Sequence, residues 1–138
     1  MLAFRRGCLV PHPLILLGPG QQFPPQFFIH PAIPPHPAAW LLAQHADRDL
    51  DLQRAFLDAL RGAVAEGEAS PANLAYLEDR VRVADERPQL YGTQFTVTDG
   101  DFVPCPIEDP QRLDERRAAA GLEPFAVYEA QIKSLRAD

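Results

Sequence analysis

The sequence predicts a mostly α protein: a small helical bundle of about five helices with one inserted β-hairpin, preceded by a proline-rich irregular arm. Three observations carry that reading. Capping and stop signals delimit one helical stretch after another from Ala39 onward. A single Asp99-Gly100 pair sits between alternating apolar residues, as a two-residue hairpin turn requires. Nine of the 15 prolines fall within the first 38 residues, where fixed φ and missing N–H donors rule out a helix or a central strand.

Residues 1–38 are therefore expected to form an extended or disordered arm, laid across the body through aromatics such as Phe23, Phe27 and Phe28. Residues 39–138 form a single helical domain. Within it, Ala39–Ala46 reads as a short, nearly all-apolar helix. Asp49 stands at an N-cap position for a helix over Leu50–Glu66 that ends at Gly67. Ser70-Pro71 opens the next helix, which runs to about Glu86 and stops before Pro88. Tyr91–Thr98 alternates as a strand does, Asp99-Gly100 turns the chain, and Asp101–Pro104 returns it. Pro104 and Pro106 restrict that second strand to an edge. Asp109-Pro110 caps a further helix closed by Gly121. The last helix, about Pro124–Leu135, carries an apolar stripe of Phe125, Tyr128, Ile132 and Leu135.

Composition narrows the function classes. The 138 residues allow one modest core. Arg5 and Arg6 are the only charged groups before Trp40, so every one of the 19 acidic residues lies after it and the net charge is −6. An acidic body with no Lys/Arg stripe repels phosphate backbones, which argues against nucleic-acid binding. The N-terminal apolar run is broken by Pro11-His12-Pro13 and lacks a small-x-small cleavage site. It is also far short of a membrane span. Two widely separated cysteines, Cys8 and Cys105, make neither a disulfide framework nor a zinc knuckle, so a reduced, cytoplasmic setting is expected. The irregularly spaced His12, His30 and His36 have no carboxylate beside them, so no metal is expected. No cofactor motif is present.

The candidate site follows from polar residues on apolar helix faces. At 100° per residue, Leu52, Phe56, Ala59, Leu60, Ala63 and Val64 form the buried arc of the Leu50–Glu66 helix, and Gln53 falls inside it. On the next helix Arg80 points into the arc of Leu74, Tyr76, Leu77, Val81, Val83 and Ala84, while Glu78 and Arg82 point away. His45 projects between Leu41 and Leu42. The seven-residue run Gln89-Leu-Tyr-Gly-Thr-Gln-Phe95 adds two carboxamides, a phenol, a hydroxyl and a glycine hinge. Strand parity places Phe95, Val97 and Phe102 on the packing face and turns Gln94 away from it, which weakens Gln94 relative to Gln89 and Tyr91.

In order along the chain, several segments resemble an uncharacterised bacterial family, a domain of unknown function. They are Trp40-Leu-Leu-Ala-Gln-His-Ala-Asp47, Gln53, Ala75-Tyr-Leu-Glu-Asp-Arg80, Gln89-Leu-Tyr-Gly-Thr-Gln-Phe95, Pro106-Ile-Glu-Asp109, Arg116-Arg117 and Gly121-Leu122. The resemblance spans about residues 40–135 and implies a bacterial, mostly helical, soluble domain. It brings no activity, cofactor or catalytic residue. Members of that family carry a Gly-Trp-Pro-containing segment of ordinary charge upstream. The proline-rich arm stands in its place here, as a divergent extension or a misassigned start.

Two functions from different classes are expected. In the first, a small carboxylate or phosphate binds in a polar pocket. His45 is then the acid–base group, oriented by Asp79 or Asp47, and Arg80 grips the anion bidentately. Gln53, Gln89, Tyr91 and Gln94 complete the binding set. In the second, the protein is a non-enzymatic acidic helical module that binds a protein partner, and the same residues form an internal network satisfied by backbone groups.

Overall fold

The computed structural model describes residues 49–135, which fold as four α-helices and one antiparallel hairpin. The elements are α1 (Leu50–Ala65), α2 (Pro71–Ala84), β1 (Phe95–Thr98), β2 (Asp101–Pro104), a 3₁₀ turn (Pro110–Arg112), α3 (Leu113–Ala119) and α4 (Phe125–Ser134). The mostly helical architecture with one hairpin matches the sequence reading. The arm and the helix expected over 39–46 lie outside the described residues.

Local signals account for the element boundaries. The Asp49 side chain accepts from Leu52 N at 3.0 Å and so satisfies one of the open donors of α1. Gly67, at φ +74°, ends that helix as expected. Pro71 occupies the first turn of α2, where its missing N–H costs nothing. Ser70 makes no side-chain cap there, so proline does the opening alone. Asp99 and Gly100 both take positive φ, +52° and +91°, which matches the twist of the two strands they join. The helix expected after Asp109 begins instead as a 3₁₀ turn, with Asp109 itself left-handed at φ +42° and no side-chain cap. Gly121 at φ +73° closes α3.

The hairpin register pairs Phe95 with Pro104, Thr96 with Val103, Val97 with Phe102 and Thr98 with Asp101. Cys105 N donates to Gln94 O at 3.0 Å. Alternation along an antiparallel ladder then makes Phe95–Pro104 a pair that exchanges no hydrogen bond. Proline fits there because the ladder does not need its N–H.

Among the described residues packing forms two main regions and a small third contact of Val83 with Cys105. Leu57 and Leu60 of α1 meet Leu77 and Val81 of α2, with Phe56, Ala69 and Leu74 at the margin. Arg61–Glu78 and Arg54–Asp85 ion pairs join the same two helices across the surface; exposed pairs of this kind contribute about 1 kcal/mol at most. The second region gathers Phe95, Tyr128 and Ile132, with Tyr76, Phe102, Phe125 and Leu135 packed against them. Phe95 stacks on Phe125 at 6.2 Å and meets Tyr128 edge-on at 5.9 Å. The apolar stripe expected on the last helix is thus the one that packs.

Several details differ from the sequence reading. The buried line of α1 is Gln53, Leu57, Leu60 and Ala63, so the arc is rotated away from Leu52, which stays 47% exposed. Helix α2 is buried at Ala75, Leu77, Asp79, Arg80, Val81 and Val83, on more than one side, because both packing regions and the loop before β1 close around it. Glu78 and Arg82 are only 13% and 15% exposed, drawn in by ion pairs with Arg61 and Glu108. Val97 is 54% exposed although it shares a face with Phe102, which packs against the aromatic cluster. Cys105 is buried against Val83 and is disulfide-bonded. The expectation of reduced cysteines therefore does not hold at that position.

Two substitutions test this account by urea titration. Asp49→Ala should lower stability by about 1 kcal/mol through loss of the cap. Leu77→Ala, at a 1% exposed position, should cost about 2–5 kcal/mol.

Candidate functional site

Between the isolated Gln89–Ile107 bridge and the ladder that starts at Phe95 the chain belongs to no strand, yet Thr93 and Gln94 are buried. A buried backbone must place each N–H and C=O. Here side chains take most of them. The Asp79 carboxylate, at 0% exposure, accepts from Leu90 N at 2.7 Å, Tyr91 N at 3.0 Å and Thr93 N at 3.0 Å. It also accepts from Thr93 Oγ1 at 2.9 Å. Helix geometry explains how this is possible. Asp79 lies one turn before Val83, on the side of α2 that meets Cys105, and so faces the loop rather than solvent.

The carbonyls of the same loop face arginines. Arg116 Nε donates to Leu90 O at 2.8 Å, and Arg117 Nη1 donates to Tyr91 O at 2.6 Å. Consecutive residues on α3 thus hold consecutive carbonyls. Tyr128 Oη donates to Thr93 O at 3.2 Å. Arg117 is wholly buried; its Nε goes to Glu123 O at 2.7 Å, and its guanidinium lies 5.0 Å above the Tyr128 ring and 5.9 Å from that of Phe125. Aromatic faces and carbonyl dipoles stabilise the cation there in place of a carboxylate.

Gln89 completes the clamp. Its Nε2 donates to Gln94 O and to Cys105 O, each at 2.9 Å, and its Oε1 accepts from Gln94 N at 2.8 Å. Its own backbone donates to Pro106 O and accepts from Glu108 N, both at 2.9 Å. The residue therefore ties the start of the loop to both ends of the hairpin. Gln94 Nε2 reaches Thr93 Oγ1 at 3.0 Å, which links Gln89, Gln94, Thr93 and Asp79 through one chain of hydrogen bonds. Gly92 bends the loop at φ +68°, and a Cβ built there would stand 2.8 Å from the Phe125 ring. Both the dihedral and the space call for glycine.

Electrostatics follow from this burial. Desolvation pushes the Asp79 carboxyl above its ordinary value, and the N–H and O–H donors around it pull it back down. Burial also raises the Tyr91 phenol, with Asp79 and Glu78 adding to the effect. Tyr76 and Tyr128 meet edge-on at 6.2 Å, and burial raises both phenols. All of these tyrosines are neutral in the physiological range.

Of the sequence-derived candidates, Asp79, Gln89 and Gln94 converge on this clamp, with Tyr91 half-buried on its outer side. Gln94 is 9% exposed although parity turned it outward, because the strand begins only at Phe95. Gln53 and Arg80 are buried at 0% and 3%, and each engages a partner. His45 and Asp47 lie outside the described residues. Sequence reasoning did not select Thr93, Arg116 or Arg117 for the site. Among the described residues no group of three or more His, Cys, Asp or Glu is arranged to hold a metal ion. No helix there is long and apolar enough to cross a membrane.

Three changes probe the clamp. Asp79→Ala leaves three amides without their acceptor and should cost more than about 3 kcal/mol by urea titration. Gly92→Ala should cost about 2 kcal/mol or more, from strained φ and the Phe125 clash. The raised Asp79 carboxyl also has a signed pH effect. Its contribution is fully present below the unfolded value and is lost as pH rises through the higher folded value. Asp79→Asn should therefore flatten the fall in stability over that interval in pH-dependent melts.

Comparisons with known proteins place the chain by family alone. No curated protein and no solved structure matches it. A family model described as a family of unknown function, DUF6624, matches residues 35–136. Its span takes in every element that builds the clamp, and the chain is a member of that family.

Proposed function

We propose that the domain is a non-enzymatic binding module in which the buried polar cluster fixes a recognition loop instead of performing chemistry. One observation carries this reading. Both oxygens of Asp79 and both polar atoms of the Gln89 carboxamide are spent on backbone groups of the same chain. A substrate could reach them only by breaking the loop. Side chains that touch reactants keep a donor or acceptor for the reaction; these do not. What the clamp leaves at the surface is Tyr91, an aromatic residue with its backbone held on both sides. Rigid tyrosines give large contact area at low ordering cost, which suits a protein partner. The acidic balance of the chain favours a partner with a basic surface.

A second reading keeps one observation in its favour. Gln53 on α1 and Arg80 on α2 are both buried on helices that pack together. In this reading Arg80 receives a small carboxylate or phosphate beside Gln53 and Tyr91, with His45 as the acid–base group. The two readings separate in a thermal-shift panel of acetate, citrate, inorganic phosphate and divalent metals at millimolar concentration. The module reading expects no shift from any of them. A phosphate- or carboxylate-induced rise that vanishes in Arg80→Lys, which lacks the planar fork, would overturn it.

A further inference from the structure

We draw no further inference here: the strongest candidate, the surface groove lined by Asp101, Phe102 and Val103 of the hairpin and Lys133 of α4, has its lysine already paired with Glu129, and nothing in the structure shows what covers it.

Discussion

The grip of Asp79 on the backbone of Leu90, Tyr91 and Thr93 is the constraint on which the rest depends. A helix and a hairpin can be joined by many loops, but few can be buried, because water no longer serves the amides. Asp79 replaces that water from one side with a single carboxylate. Arg116, Arg117 and Tyr128 replace it from the other with donors aimed at the carbonyls. Acceptors meet N–H groups and cations meet C=O groups, so the loop lies between surfaces of opposite sign. The two packing regions are brought into one body by this strip, since Asp79 comes from the helix that builds the first and Arg117 and Tyr128 rest on the second.

Desolvating an aspartate and an arginine within one small domain costs several kcal/mol each, and packing alone does not offset that. Partners fixed by the fold offset part of that cost. Both Asp79 oxygens accept hydrogen bonds, and Arg117 donates to two carbonyls and lies over two aromatic rings, with its buried Nη2 making no hydrogen bond. Polar groups of this kind define a unique arrangement: no rotation of the loop satisfies the same donors. Conformational specificity, more than net stability, is what the cluster supplies.

Much of this was legible in the sequence. Asp49, Gly67, Pro71, Asp99-Gly100 and Gly121 act through local rules, and each marks the boundary or turn it was expected to mark. The hairpin register followed from the two-residue turn. Gln53 and Arg80 were correctly placed on buried faces by periodicity. The start of β1 was not legible, because period-2 alternation from Tyr91 onward looks the same whether a strand or a set of side chains takes the amides. Asp79 was read as a partner for His45, since helical spacing shows only which way a side chain points. Its use for backbone groups eleven to fourteen residues later depends on tertiary contact. For the same reason Thr93, Arg116 and Arg117 carried no recognisable signature of a loop clamp.

The placement of Pro104 has a further consequence for life in a crowded solution. In the pair it forms with Phe95, backbone groups turn away from the ladder and toward the outer edge of β2. At that step an ordinary residue would present an amide to any passing strand. Proline presents none, and the neighbouring Pro106 and the exposed Asp101 discourage approach on either side. A hairpin whose valines stand partly bare would otherwise invite strand-by-strand growth into aggregates. The residue that fits the ladder inside also keeps the edge from being copied outside.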